Sequence, residues 1–265
     1  MVLRPKNLKA VILAGGLGSR LAEETDRIPK PLVKVGDYPI LWHIMKIFAF
    51  YGVTEFFVCL GYKGYLIKEY FLNLRNYTSD ITLTTGSEPS ILFSNLKSDD
   101  WKIHLIDTGD GTMTGGRLLR LRSFLLEEKA FFLTYGDGLG DINLEELLNF
   151  HQSHGGLATV TSVSPPGRFG AVTTENNGLV VGFHEKPAGD GLRINGGFFV
   201  LSPSVFDLIE GDHTVWEELP LQSLTKSRNL FAYSHSGFWR PMDNLSDKRE
   251  LDRLWNEKKA PWKLW

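Results

Sequence analysis

The sequence predicts an α/β protein: a mixed, mainly parallel sheet flanked by helices, with added β-hairpins. Three observations carry that expectation. Short apolar runs alternate with segments of helical spacing through the first half of the chain, as in βαβ units. The first of these runs ends abruptly in glycines. The later part is richer in strand-like runs, closely spaced with Pro and Gly between them, which suits hairpins added at one edge.

Residues 9–14 form a short apolar run ending at Gly15 and Gly16, a buried strand feeding a glycine turn. Over 40–51, Ile40, Ile44, Ile47 and Phe48 recur as one helix face, and Gly52 is placed to stop that helix. Residues 55–60 read as a second buried strand and 66–74 as a second helix. Further strands are expected at 101–106 and 131–135, with a helix at 113–126 between them and another at 144–154. Strands at 158–163, 171–174, 180–185, 196–201 and 230–235 follow, then a polar amphipathic helix over 245–258 and a proline-broken tail over 260–265. With no repeat, linker or break in composition, one domain is expected over 1–265.

The composition narrows the function classes. Of 265 residues, 42% are hydrophobic and 23% charged, which argues against disorder and leaves enough apolar surface for a core. A net charge of −2 provides no electrostatic footprint for nucleic acid or an anionic membrane. The single cysteine, Cys59, lies in the apolar run 56–60, which leaves no disulfide and no cysteine-rich zinc site. No apolar stretch approaches membrane-spanning length, and Arg4, Pro5 and Lys6 open the chain without the apolar core of a signal peptide. The expectation is a soluble protein of a reducing cytoplasm.

The most informative segment is the loop GGLGSRL at 15–21, directly after the first strand. Glycines let backbone N–H groups approach a ligand and point at phosphate oxygens, while Arg20 adds a forked cation and Ser19 a hydroxyl. A P-loop is excluded because no Gly-Lys-Ser/Thr triplet follows. A dinucleotide fingerprint counted from Gly16 and Gly18 would put its third glycine at Leu21 and lacks an acidic residue ending the second strand, which weakens a nicotinamide oxidoreductase. Next comes Pro29-Lys30-Pro31, whose prolines would hold Lys30 on an extended segment as a fixed charge for phosphate. Asp137, in YGDG at 135–138, sits beyond the carboxyl end of a strand, where open sheets bind ligands and where an aspartate suits a metal. Asp141 is expected to cap the following helix. The pair His151 and His154 falls at the end of that helix, favourable for its dipole. No nucleophile motif of the Gly-x-Ser-x-Gly kind is present, so covalent catalysis is not required.

Taken together, GGLGSRL (15–21) and IPKPLVKVGDYPIL (28–41) closely resemble the nucleotide-loop signature of the sugar-1-phosphate nucleotidylyltransferases, which join a nucleoside triphosphate to a sugar 1-phosphate. LWHIMK (41–46), GYKGY (61–65), DTGD (107–110), MTGGR (113–117), PPGRFG (165–170), INGGFF (194–199), GFWRPMD (237–243) and KAPWK (259–263) resemble the branch that uses CTP and glucose 1-phosphate. The likeness runs from about Lys9 to the end of the chain.

The resemblance implies a Rossmann-like fold of the nucleotide-diphospho-sugar transferase type, with a nucleotide-binding half at 9–140, a sugar-phosphate half at 141–244 and a C-terminal helix and tail at 245–265. It implies Mg²⁺ on Asp137 and Asp243, although Asp243 alone would read as a helix cap. Arg240 stands where relatives often carry glutamine. Arg20, Lys30 and Lys186 are the implied catalytic cations, Lys186 approaching the sugar phosphate from EKP (185–187). Asn195 and Gly196 resemble the segment that binds sugar hydroxyls. Glu217 could reach the sugar too, but as a lone acid on a helix it reads more simply as a surface charge. Thr112 and Arg117 fall in the segment near the nucleotide. Backbone atoms of Leu13, Ala14, Gly15, Gly16 and Leu17, with Gly115 and Gly136, could supply hydrogen bonds to the base, and Gly18 belongs to the same nucleotide-binding loop.

The reaction so implied is CMP transfer from CTP to glucose 1-phosphate by in-line attack, with pyrophosphate leaving. The resemblance further implies a homo-oligomer, a hexamer, and a place in making dideoxyhexoses for lipopolysaccharide O-antigen. The same chemistry with UTP or dTTP, and a catalytically silent regulatory subunit, stand as alternatives.

Overall fold

The first apolar run becomes an interior strand of the sheet, paired on both sides. A computed structural model describes residues 3–18, 21–95, 99–165, 171–175, 179–184 and 193–265. Among these, eight strands form the main sheet: β1 (Ala10–Leu13), β2 (Glu55–Leu60), β3 (Lys102–Asp107), β4 (Phe131–Tyr135), β5 (Ala158–Val163), β6 (Ile194–Asn195), β7 (Phe199–Leu201) and β8 (Leu230–Ser234). β1 lies between β2 and β4, parallel to both, and β3 extends the parallel part beyond β2. On the other side β7 runs antiparallel to β4, and β5 carries β6 and β7 on one edge and β8 on the other. The sheet is therefore mixed and mainly parallel, as expected.

The run 10–13 is apolar at every position because both faces of β1 are covered. Successive side chains alternate between the faces. Ala10 and Ile12, with Phe56, Val58 and Phe132, pack under the helices Ile40–Phe50 and Leu144–His154. Val11 and Leu13, with Phe57, Cys59 and Leu133, pack against Leu118, Leu125, Phe206 and Trp216. Helix Ile40–Phe50 buries Ile40, Ile44, Ile47 and Phe48, and Gly52 ends it at φ 86°, a conformation glycine adopts without strain.

Several local expectations change once neighbours are in place. The helix expected over 113–126 is two, Thr114–Leu119 and Arg122–Leu125. The one expected over 66–74 is Gly64–Leu72, followed by Leu74–Thr78. The strand expected over 196–201 shortens to β7 (Phe199–Leu201), with the separate short strand β6 before it, because Gly197 and Phe198 take φ values of 72° and 46°. Asn143, not Asp141, caps helix Leu144–His154, accepting from the backbone N–H groups of Glu145 and Glu146. Asp141 instead lies 2.9 Å from His235. The ring nitrogens of His151 and His154 lie 2.9 Å and 2.7 Å from the Thr159 hydroxyl. Burial pushes His151 down to about 4, so it is a neutral packing group at pH 7 and not a cation on the helix dipole.

The C-terminal helix, Leu245–Asn256, starts at Asn244, whose side chain accepts from the Asp247 N–H. The tail beyond it buries Trp262 against Phe238, and the Trp262 indole donates to His43 Nδ1 at 3.3 Å. His43 in turn donates from Nε2 to the Val35 carbonyl at 2.9 Å, and burial lowers its pKa to about 4.

Besides the short pair Lys34–Val35 with Tyr38–Pro39, two strand pairs outside the main sheet were not expected from sequence. One is the hairpin Asp80–Thr84 with Ser90–Ser94. The other joins Gly138–Gly140 to Trp239–Pro241 and matters most for the site. Ala171–Thr174 and Val180–His184 pair as expected, but with each other, not at an edge of the main sheet. Among the described residues no helix is long and apolar enough to cross a membrane.

Candidate functional site

The carboxyl ends of β1, β2 and β4 lie side by side, with Leu13 opposite Cys59 and Tyr135. A cleft of about 520 Å³ opens there. One wall is the glycine loop: Leu13, Gly15, Gly16, Leu17 and Gly18 line it, whereas Ala14 turns into the core. The opposite wall runs from Asp110 through Gly111, Thr112 and Met113 to Thr114. Lys30, Pro31, Tyr135, Gly136 and Asp137 form its floor. Gly136 donates to the Leu13 carbonyl at 3.0 Å, and a Cβ there would press on that oxygen, so the floor needs glycine for close backbone approach.

At the floor, three charged groups from distant parts of the chain meet. Lys30 follows the extended Pro29 and begins a single 3-10 turn, Lys30–Leu32, where an extended segment was expected. Its Nζ donates to Asp137 Oδ2 at 2.7 Å and to Asp243 Oδ1 at 2.9 Å. Asp137 stands just past β4. Asp243 reaches it because Trp239–Pro241 pairs with Gly138–Gly140 and Met242 N–H donates to the Asp137 carbonyl at 2.8 Å. Asp243 is not the helix cap, since Asn244 takes that position. Burial would lower the Lys30 pKa, but the Asp137 and Asp243 carboxylates outweigh it and the net shift is upward. Lys30 is a fixed cation at neutral pH.

The two carboxylates thus aim one oxygen each at a single point that already holds a positive group. Hard oxygen donors so placed would suit a magnesium ion in place of the Lys30 ammonium, with its other ligands from phosphate and water. Among the described residues no third His, Cys, Asp or Glu joins them. Phosphate oxygens and water would have to complete such a coordination sphere.

Arg117 lies at the cleft, in the segment expected near the nucleotide, with its guanidinium turned to the protein. It lines the cleft but is only 5% exposed, and its guanidinium is engaged inside the protein. It donates to the carbonyls of Gly15 (3.0 Å), Leu60 (3.0 Å), Gly109 (2.8 Å) and Asp110 (3.2 Å) and to the Thr108 hydroxyl (2.7 Å). The side chain is a brace that ties the glycine loop to the end of β2 and to the loop after β3. A Cβ on Gly15 would fall on the guanidinium, so glycine at 15 makes room for that brace. Gly115 also turns away from the cleft, its N–H donating to the Thr214 carbonyl at 2.9 Å.

On the sugar side, Asn195 is exposed and donates from Nδ2 to the Tyr135 hydroxyl at 3.0 Å. Gly196 is packed, its N–H on the Thr161 carbonyl at 2.8 Å and its own carbonyl accepting from the Trp239 indole at 2.8 Å. Glu217 is neither on a helix nor a surface charge. It sits in the turn before helix Leu219–Lys226 and accepts from Tyr135 (2.7 Å) and Thr114 (2.6 Å). Burial, then the Glu217 charge, raises the Tyr135 pKa, so the phenol stays protonated. Ser19, Arg20 and Lys186 lie outside the described residues.

Tyr135 and Thr114 were not singled out from sequence. The pattern FFLTY at 131–135 held the signal for Tyr135: alternation puts it on the face of Phe131 and Leu133, with its polar tip just past the strand end. Thr114 had no comparable mark.

The chain is similar to known proteins over nearly all of its length. Residues 9–240 match the nucleotidyl transferase family. A glucose-1-phosphate cytidylyltransferase of Salmonella typhi is 51% identical over 258 residues, covering 97% of this chain and 100% of the relative. One of Salmonella typhimurium matches equally, at 51% over 258 residues. Among solved structures, HddC from Yersinia pseudotuberculosis, complexed with GMP-PN, covers 94% of this chain and 99% of its own at a TM-score of 0.67. At 21% identity that likeness shows the fold alone.

Proposed function

Because the chain belongs to the nucleotidyl transferase family, we propose that it transfers CMP from CTP to α-D-glucose 1-phosphate, giving CDP-glucose and pyrophosphate. The observation that supports the chemistry is the meeting of Lys30, Asp137 and Asp243 on the floor of a glycine-walled cleft. The choice of base and sugar follows the Salmonella relatives.

A phosphate oxygen of glucose 1-phosphate attacks the α-phosphorus of CTP, and the bond to the bridging oxygen of the departing pyrophosphate breaks. The nucleophile is already an anion, so no general base is needed. What the protein must supply is alignment of two polyanions and neutralisation of charge on the reacting phosphorus. Asp137 and Asp243 would hold Mg²⁺, which when bound neutralises and orients the triphosphate. Lys30 and Arg20 neutralise the triphosphate and the leaving pyrophosphate, and Lys186 holds the attacking phosphate. The backbone of 15–18 cradles the nucleotide, with Thr112 on the facing wall. Arg117 keeps that backbone in place from below.

Pyrophosphate release measured across CTP, UTP, dTTP and ATP, each with several hexose 1-phosphates, tests the reading. CTP with glucose 1-phosphate is expected to be fastest by at least tenfold. Faster release with UTP or dTTP would reassign the base. No release with any pair would leave a binding subunit in place of an enzyme.

We propose further that the chain works as a homo-oligomer, a hexamer by its resemblance. The hairpin Asp80–Thr84/Ser90–Ser94 supports association: Leu83, Ile91 and Leu92 are 63–64% exposed on it. A lone two-stranded hairpin is marginal in water, and its open edges and apolar side chains invite cover by a second copy. Sedimentation of the full chain is expected to give an oligomer that Leu83→Lys with Leu92→Lys dissociates. A wild-type monomer would refute it.

A further inference from the structure

One hydrogen-bonded chain crosses the end of β4 and belongs to none of the groups assigned above to phosphate or metal. Its two ends are backbone N–H groups, which can only donate, and they set every direction between them. At the sugar end, Gly197 N–H donates to Asn195 Oδ1 at 2.8 Å. The Asn195 amide must therefore turn its Nδ2 toward the Tyr135 hydroxyl, 3.0 Å away. Tyr135, accepting there, sends its own proton to Glu217 Oε1 at 2.7 Å. At the nucleotide end, Trp216 N–H donates to Thr114 Oγ1 at 2.9 Å, so the Thr114 proton goes to Glu217 Oε2 at 2.6 Å. Glu217 accepts at both oxygens, which suits an ionised carboxylate and no other side chain of its length.

We propose that Tyr135 and Glu217 are positioning residues that orient the Asn195 amide toward the sugar of the acceptor substrate and tie it to the Thr114 wall of the cleft. The inference rests on the sugar-phosphate reading of the Asn195 segment given above. With Oδ1 and one Nδ2 hydrogen engaged, Asn195 keeps a second hydrogen and a second lone pair, both on an exposed side chain. That pattern, one donor beside one acceptor, is the complement of a sugar hydroxyl. The charge on Glu217 acts two bonds away from the ligand: it makes the Tyr135 hydroxyl a committed donor and so leaves it free only as an acceptor for Asn195. Without that acceptor the amide loses its anchor at Nδ2 and turns more freely, and an ordering cost falls on binding the sugar.

The test is a double-mutant cycle in steady-state kinetics with CTP and glucose 1-phosphate each varied. Tyr135→Phe keeps the ring and its edge contact with Phe199, whose centroid is 6.2 Å away, but removes the hydroxyl. It is expected to raise the KM for glucose 1-phosphate about tenfold, the size of one to two hydrogen bonds, and to change the KM for CTP less than twofold. In an Asn195→Ala background the same change should have almost no further effect, because the residue it acts through is gone. Glu217→Gln is run in the same cycle and should behave alike, so the test stands if one variant does not fold. Additive effects of Tyr135→Phe and Asn195→Ala, or equal effects on both substrates, would overturn the relay. A wild-type enzyme that turns over CTP but refuses glucose 1-phosphate would instead overturn the function on which the relay rests, and the two failures are separate readings of one experiment.

Discussion

Asp137→Asn is expected to fold normally and to lose turnover by a factor of about 10²–10³. Asparagine has nearly the shape of aspartate but no charge, and charge is what the floor of the cleft needs. The Lys30 ammonium, 2.7 Å from Asp137 Oδ2, would retain Asp243 alone as an anionic partner among the described residues. The side chain of Asp137 is 32% exposed, so the cost in stability is small by comparison with the loss of a proposed metal ligand. The magnesium concentration needed for half-maximal rate should rise as well, since one of two protein carboxylates has gone. Thermal unfolding separates the two effects, and near-wild-type turnover in a folded Asp137→Asn protein would remove the metal role from this residue.

The second large effect is expected at Arg117, and there the loss is of structure. Arg117→Met leaves the carbonyls of Gly15, Leu60, Gly109 and Asp110 and the Thr108 hydroxyl without their shared donor. Each unsatisfied buried acceptor costs about 1–3 kcal/mol, and some of these would recover water from the cleft, so a net loss of about 3 kcal/mol is expected. Lysine is a poor substitute, because a compact ammonium with three hydrogens cannot span acceptors on three segments as a planar fork does. Affinity for CTP should fall together with stability, as the loop at 15–18 loses its tie to the end of β2. Urea unfolding and calorimetric titration with CTP measure the two losses. A destabilisation under about 1 kcal/mol with unchanged CTP affinity would mean that the guanidinium does not brace the loop.

Much of the architecture was legible in the chain itself, because the signals are local. Runs such as 10–13 and 56–60 are apolar at consecutive positions, which only a strand covered on both faces tolerates, and the Ile40–Phe48 spacing fits one helix face. The glycine loop was recognisable because it follows a strand directly, and Lys30 because two prolines flank it, so the chemistry of each is written in a few adjacent residues. Asp137 could be placed at a strand end by the run before it. Where local patterns competed with packing, packing prevailed. His151 and His154 sit where a helix dipole would welcome cations, yet burial against Thr159 makes His151 a neutral core residue.

Contacts between distant segments were decided by the tertiary structure alone. Lys30 is 107 positions from Asp137 and 213 from Asp243, and the three meet only because a short strand pair, Gly138–Gly140 with Trp239–Pro241, folds one end of the chain onto the middle. Arg117 carried the look of a ligand-binding cation, but the structure gives it carbonyl acceptors from two loops and a strand end. Glu217 read as a surface charge until Tyr135 and Thr114 were found on its two oxygens. The physical reason is common to all three. Periodicity and propensity record which face of an element a side chain occupies, a property of neighbours along the chain. The partner across the gap is chosen by how sheets and loops stack, and hydrogen bonds and ion pairs reach only about 3 Å, so they follow that stacking and leave no trace in local sequence.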